Sequence, residues 1–584
     1  MLTARFDLKA AAGRITNVAW ERCWRGARGL IVTIETTFEP GRDRPGLRNG
    51  LAVLASAFTA SDIHPGQLRR SASFSGSQIA VLFVALLMLA SIPVLTQPLP
   101  PIEDYVNHLA RMHVMASLGT DANLARFYEV DWQIVPNLMM DMVVPTLSHT
   151  MGIYLAGQVF TIATFALIMS GALALNRALF RRWSLLPLIV APLLYNYVFL
   201  TGVMNYMFGM GLALWATAAW ITLRERAWPW RMTVSAVFVI ALFFCHLFAL
   251  GVYGVALLSV ETARLWSRRA QPLGPRLLDF CATGLPFLPA LPMLFASPTM
   301  GLASQNVWEP LGKIDGLKFV VEVYSDTVAF LLIGAFAVGI VWAMRQRLLR
   351  FHPVGLALLA VGGAVYMALP RMMFATYMAD QRLPVALAFL LIACLNIDLR
   401  QRTVRRGFLA LLLILLVVRV IEVDANWANL AGINMEFRDS VKRIKPGSTV
   451  LVAYADASAG DDVRDLGLVH AACIAMIERS ALVTTAFTVE GKQIMHVRPA
   501  YRDQVDTEDG TPPTLAQLVV SADKHIDDKA VYWHGWENRF DYVYVLFTGD
   551  DATNPAPERL KLVHDGTRFQ LYKVLKPTPT GRPS

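Results

Sequence analysis

Between residues 78 and 422 the chain alternates long apolar runs with short polar breaks. Runs with few or no charges occupy 78–97, 151–175, 184–200, 203–223, 232–247, 248–264, 277–296, 327–344, 353–370, 383–398 and 407–421. A helix needs roughly 20 apolar residues to cross the hydrocarbon core of a bilayer, so this pattern predicts an all-α membrane domain of about 11 transmembrane helices over 78–422. The segment 183–223 contains no Asp, Glu, Lys or Arg. As one helix it would run roughly 60 Å, twice the core thickness, so it must fold back. Asn196 to Asn205, with Thr201-Gly202 between them, is the predicted turn, and 232–264 is expected to reverse between Cys245-His246 and Gly251.

After residue 422 the period changes. STVLVAYA (448–455), ALVTTAFTV (481–489), QIMHV (493–497), FDYVYVLF (540–547) and RFQLYKVL (568–575) read as strands, and 465–479 reads as a helix. The expectation is a small C-terminal α/β domain over 423–584. Residues 1–77 contain one apolar run, LAVLASAFTA (51–60), too short to span. They are expected to form a disordered cytoplasmic tail.

Composition agrees with this division. The 584 residues are 55% hydrophobic and 17% charged, against about 25% charged in a typical soluble protein. The net charge of +9 comes largely from arginines at the ends of apolar runs, and no basic patch with interleaved aromatics appears, so nucleic acid is not an expected partner. The five cysteines, at 23, 245, 281, 394 and 473, show no CxxC or Cys/His spacing of a zinc site or disulfide framework.

The arginines also set sidedness. Arg69-Arg70, Arg181-Arg182, Arg224/Arg226/Arg231, Arg264/Arg268/Arg269/Arg276, Arg345/Arg347/Arg350 and Arg400/Arg402/Arg405/Arg406 fall on every second loop. Positively charged loops stay in the cytoplasm. The loop 98–150, the loops 297–326 and 371–382, and the C-terminal domain are then outside. This predicts a multi-pass protein of the bacterial inner membrane with a cytoplasmic N-terminus and a periplasmic C-terminal domain.

The chemistry gathers on the outer face. PLPPIEDYVNHLARMHVM (98–115) carries Glu103, Asp104, His108 and Arg111 directly after the first apolar run. Tyr105, Leu109, Met112 and Ala116 form an apolar stripe at helical spacing. Asp104, His108 and Arg111 follow at i, i+4 and i+7. This is the pattern of an amphipathic helix on a membrane surface, with the three polar residues either its solvated face or a site. DWQIVPNLMMDMVVPTLSH (131–149) adds Asp131, Asn137 and Asp141. Asp141, among Met and Val, either faces water or needs a partner. RMMFATYMADQR (371–382) adds Arg371, Asp380 and Arg382, suited to interface anchoring or to an anion such as a lipid phosphate. Lys313, Lys318, Glu309 and Glu322 are weaker candidates in 297–326. His246 reads first as a satisfied buried histidine. His470, His496, Trp533, His534 and Trp536 suit either sugar contact or ordinary core and surface roles.

PPIEDYVNHLARMHVM, GVMNYMFGMGLAL (202–214), CHLFALGVYG (245–254), ADQRLPVALAFLLIA (379–393) and FQLYKV (569–574) resemble uncharacterised bacterial polytopic proteins near the GT-C class of membrane glycosyltransferases. That class includes protein-mannosyltransferase-like and aminoarabinose-transferase-like enzymes, and the resemblance covers roughly 78–575. It implies a polyprenyl-phosphate sugar donor, a glycan, lipid or protein acceptor, contact with membrane lipids, and inverting transfer to a hydroxyl. Glu103-Asp104 stands where the class has its acidic signature, in an order that leaves open whether one or both act. The resemblance makes Asp104 the general base, with Glu103 and His108 beside it. Arg111, Asp131, Asn137, Asn205, His246, Arg371, Asp380 and Arg382 are then candidates for substrate contact. A divalent metal, Mg or Mn, assists some relatives, and Glu103, Asp131 and Asp141 are the candidate ligands. Two other classes stay open. A transporter or flippase of lipid-linked glycans would show repeats and mid-membrane charges, and neither is evident. A non-catalytic envelope assembly protein would need no acidic pair.

Overall fold

The computed structural model describes residues 74–302, 307–374, 376–456, 463–506, 512–521 and 532–576. The expected tail therefore lies, up to residue 73, outside the described residues. The first described helix, α1 (Gly76–Ala90), starts at a capping box in which Ser75 accepts from the Gln78 N–H and Gln78 reaches back.

Among the described residues, five helices are long and apolar enough to cross a membrane: Ile153–Phe180, Met204–Glu225, Trp228–Cys245, Leu247–Ser267 and Asp326–Arg345. A sixth span is added if the bent pair Leu273–Phe287 and Ala290–Ala296 counts as one. Gly76–Ala90, Pro353–Ala368 and Leu383–Ala393 are shorter apolar helices. The expected span at 184–200 is not an α-helix. Pro187 and Pro192 hold Leu186–Leu193 in a 3-10 helix, and a single α-turn follows at Tyr197–Leu200. The expected span at 407–421 is part of a 40-residue helix, Arg402–Val441, with the buried pair Arg419–Glu422 at 2.6 Å. That helix runs on past residue 423, where the composition changes.

Both predicted reversals appear. The chain turns at Thr201-Gly202, with Gly202 at φ +81°. It turns again at His246, whose Nδ1 accepts from the Phe248 N–H at 3.1 Å and so caps Leu247–Ser267.

The loop 98–150 folds as α2 (Tyr105–Ser117), a short helix at Ala122–Phe127, strand β1 (Tyr128–Val130) and α3 (Met139–Met151). The α2 helix has no solvated polar face of the kind its pattern suggested. Nine of its thirteen residues are buried, Asn107, His108 and Arg111 included. The cause is the C-terminal domain, which covers the polar face of α2 while α3 and Ile153–Phe180 pack on the rest.

Strands β2 (Leu349–Phe351) and β3 (Leu395–Ile397) pair on the arginine-rich side. The C-terminal sheet contains β4 (Thr449–Tyr454), β5 (Leu482–Val483), β7 (Tyr542–Leu546), β8 (Leu560–Asp565) and β9 (Phe569–Val574) in the order β5-β4-β7-β9-β8. β4 is parallel to β5 and β7, and β9 is antiparallel to β7 and β8. Period-two alternation sorts its side chains: Val450, Val452 and Tyr544 join the main core, and Leu451, Val543 and Val545 a second one. Phe437, near the end of the long helix, stacks on Tyr544 at 4.6 Å. The expected strand at 493–497 becomes β6 (Met495–Val497), which leaves this sheet and pairs antiparallel with β1, Glu129 opposite His496. The helix expected at 465–479 breaks into Leu466–Val469, a 3-10 turn and Ile474–Arg479.

Candidate active site

The Glu103-Asp104 pair sits where the first loop, the Thr201-Gly202 turn and the C-terminal domain meet. Pro100 accepts from the Ile102 N–H, and Glu103 donates its N–H to the Leu200 carbonyl at 3.0 Å. Two glycines make the approach possible. A Cβ on Gly202 would come within 2.6 Å of the Asp104 nitrogen, and one on Gly467 within 2.6 Å of Pro101 Cβ. Asp104 is the N-cap of α2, yet its side chain caps no helix N–H. Its carboxylate instead faces the C-terminal domain, where His470 Nε2 lies 3.4 Å from Oδ1.

The two neighbouring carboxyls are driven apart in acidity. Burial, then the adjacent Asp104 charge, pushes Glu103 up to about 8, against the opposing pull of Arg382. Burial also works to raise Asp104. The hydrogen bond from His470, joined by the charge of Arg382, outweighs it and holds Asp104 below its usual range. At neutral pH the pair is one neutral carboxyl beside one carboxylate. His108 is 5% exposed. Burial, with the Arg111 charge adding to it, pushes its imidazole down to about 3, so it stands neutral, edge-on to Phe487 at 5.3 Å.

Arg382 supplies the positive charge. Its Nη1 lies 3.3 Å from His246 Nε2, its Nη2 donates to the Tyr377 carbonyl at 3.1 Å, and its own carbonyl accepts from Tyr206. It lines an apolar cavity of about 180 Å³ with Tyr206, Phe248, Val255 and Phe374. A second cavity of about 80 Å³, polar by comparison, shares Leu247, Phe248 and Phe374 with the first and adds Asn137, His246 and Lys492. Lys492 interacts electrostatically with Asp104. A larger apolar cavity of about 640 Å³, beside Phe336, Leu391 and Phe408, has no ionisable side chain in its lining.

The other sequence candidates are placed as follows. Arg111 does not extend the pair: it closes on Asp141 in a bidentate bridge, Nε–Oδ1 at 2.7 Å and Nη2–Oδ2 at 2.8 Å. Asn205 Oδ1 accepts the Met140 N–H at 2.7 Å and its Nδ2 donates to the Asn137 carbonyl at 2.8 Å, which fixes the start of α3. Asn137 itself adopts φ +72°. Arg371 and Arg382 do not form a common clamp. Arg371 turns to Asp380 at 3.3 Å and Glu309 at 3.2 Å, and Asp380 also takes Lys313 at 2.8 Å. Asp131 is exposed and accepts from Gln133.

The residues present do not fit the expected metal. Glu103, Asp131 and Asp141 are not brought together, and among the described residues no group of three His, Cys, Asp or Glu side chains could hold an ion. The groups that sequence reasoning left unconnected are His470, Asn107 and Lys492. From the sequence, His470 suits a sugar contact or an ordinary core or surface role, with no link to Asp104.

No family model matches the chain, and no curated protein matches it. Among solved structures it is similar to the crystal structure of ArnT from Cupriavidus metallidurans bound to undecaprenyl phosphate. The two are 12% identical, and the match covers 87% of this chain and all of that one with a TM-score of 0.43. A likeness at that level assigns no residue and no activity to this chain.

Proposed function

We propose that this chain is a membrane glycosyltransferase that moves a sugar from a polyprenyl-phosphate donor to an envelope hydroxyl on the outer face of a bacterial inner membrane. The observation that carries the reading is the Glu103-Asp104 pair, split into a neutral acid and a carboxylate, under the charge of Arg382, which lines an apolar cavity. Pairs of carboxyls driven apart in acidity mark acid and base roles. The motif resemblance of the first loop and of 379–393 to GT-C enzymes points the same way.

In this reading the apolar cavity takes the lipid next to its phosphate, and Arg382 faces the phosphate charge. Asp104 accepts the proton of the acceptor hydroxyl as its oxygen forms the new bond to the anomeric carbon. The bond from that carbon to the phosphate oxygen breaks, and its electron pair leaves on the lipid phosphate. Arg382 stabilises that charge. Neutral Glu103 donates a hydrogen bond to the sugar or the phosphate. The displacement inverts the anomeric centre. Arg371, held by Asp380 and Glu309, takes no part in this scheme.

The test is mass spectrometry of envelope glycans from a strain lacking the gene, complemented by wild type or by Asp104→Asn. One glycan modification should vanish in the deletion and return with wild type only. Unchanged glycans, or full complementation by the variant at equal membrane abundance, overturns the reading. Altered lipid-linked intermediates with unaltered transfer would favour a flippase.

A further inference from the structure

Asn107 lies between Asp104, the N-cap of α2, and His108, and reaches across to the C-terminal domain. Its Oδ1 accepts the Phe487 N–H at 2.9 Å, and its Nδ2 donates to the Thr485 carbonyl at 2.7 Å. Those two backbone partners leave one orientation of the amide, because reversing it would oppose donor to donor and acceptor to acceptor. The second hydrogen of Nδ2 then points to His470 Nδ1, 3.1 Å away. A ring nitrogen that accepts carries no proton, so the neutral imidazole has its proton on Nε2, the atom 3.4 Å from Asp104 Oδ1. Phe487 packs edge-on against both His470 and His108, at 5.0 and 5.3 Å, and excludes water from one side.

We infer that His470 is a positioning residue of the C-terminal domain, locked by Asn107 in the Nε2–H tautomer so that it donates to Asp104 and keeps that carboxylate ionised and aimed. The inference rests on the reading of Asp104 as the general base. It makes the site composite: α2 brings the base, and the last domain brings the group that orients it. The β1–β6 ribbon, with Val130 opposite Met495, clamps the two parts in register. The groups that face Asp104 are Glu103 from its own chain segment, His108 from α2, His470 and Lys492 from the C-terminal domain, and Arg382 from the membrane domain.

The experiment pairs His470→Ala with His470→Gln, whose Nε2 amide can still donate. Transfer is followed against pH, using whatever donor and acceptor the glycan comparison identifies. His470→Ala should move the acid limb of the profile up by about a pH unit and lower kcat by at least tenfold with little change in KM, and His470→Gln should restore most of both. An unmoved acid limb in His470→Ala, or a glutamine variant as impaired as the alanine one, overturns the inference. Asp104→Asn in the same assay separates the two levels: if it stays active, the base assignment fails whatever His470 does.

A second readout needs no activity. In thermal unfolding of the full chain in detergent, His470→Ala should lower the midpoint distinctly more in the wild-type background than in an Asp104→Ala background, where only its bond with Asn107 and its packing on Phe487 are lost. Equal shifts in both would make His470 a packing residue only.

Discussion

Gly202 presses on the backbone of Asp104: a Cβ there would stand 2.6 Å from the Asp104 nitrogen and 2.8 Å from its Cβ. Its φ of +81° disfavours any side chain independently of space. Both neighbours are main-chain or first-carbon atoms, which cannot swing away. Gly202→Ala should therefore shift the carboxylate and strain the turn, costing about 1–3 kcal/mol. Activity should fall more than tenfold while the protein still inserts. Transfer rate and unfolding midpoint in detergent check this, and a fully active alanine variant would mean that the turn does not set the position of Asp104.

The split acidity of the pair has a thermodynamic signature. Glu103 is raised from 4.5 to about 8, so the stability it contributes is full below the lower value and is lost as pH rises through the upper one. His108 is lowered from 6.5 to about 3, so its contribution is full above 6.5 and is lost as pH falls through the lower value. Asp104 is lowered from 3.8, and its contribution disappears only in acid. Of these three groups, Glu103 alone titrates between pH 6.5 and 8. Wild type should lose stability across that window, and Glu103→Gln should lose distinctly less. Chemical unfolding at a series of pH values measures the two slopes, and parallel slopes would place Glu103 in its ordinary ionised state.

Local features of the chain were readable from local pattern. The acids after the first apolar run, the turn at Thr201-Gly202 and the reversal at His246 each depend on neighbours in sequence, and each stands where the spacing put it. What could not be read depends on contacts across the chain. Asn107 and His470 are 363 residues apart, and nothing in either segment names the other. The same contact explains the error over α2: its polar stripe looks solvated until the C-terminal domain covers it. Arg111 and Asp141 were both singled out, but as possible ligands, because their spacing did not reveal that each neutralises the other. The strand β8 was missed because it is an edge strand with mostly solvent-facing side chains, which leaves little alternation to detect.

The Arg111–Asp141 bridge is 1% exposed on both sides, so removing one partner leaves a buried charge without its counterion. Arg111→Ala should cost about 3–5 kcal/mol. Arg111→Met combined with Asp141→Leu should recover much of it, since two apolar side chains of similar size need no pairing. The comparison is made by thermal unfolding of membrane extracts or purified protein. If the double variant is less stable than Arg111→Ala, the bridge does more than satisfy itself, and a ligand role for Asp141 returns to consideration.

Arg382 is the strongest test of the substrate side. Its charge acts on Glu103 and Asp104, and its side chain lines the apolar cavity. If that charge meets a lipid phosphate, Arg382→Ala should raise KM for the donor at least tenfold and lower kcat as well, because the charge is needed most as the phosphate leaves. Arg382→Lys should recover only part, since a lysine lacks the forked donor geometry. The same substitution has a consequence that needs no substrate. Arg382 pulls the Glu103 pKa down against the effect of burial, so its removal should move the Glu103 titration above pH 8. The loss of stability between pH 6.5 and 8 should then persist in Arg382→Ala and continue to higher pH, where in wild type it levels off as Glu103 ionises in the folded state. A loss that still levels off near pH 8 would show that Arg382 does not act on the pair, and the proposed path of charge from carboxylate to leaving phosphate would lose its midpoint.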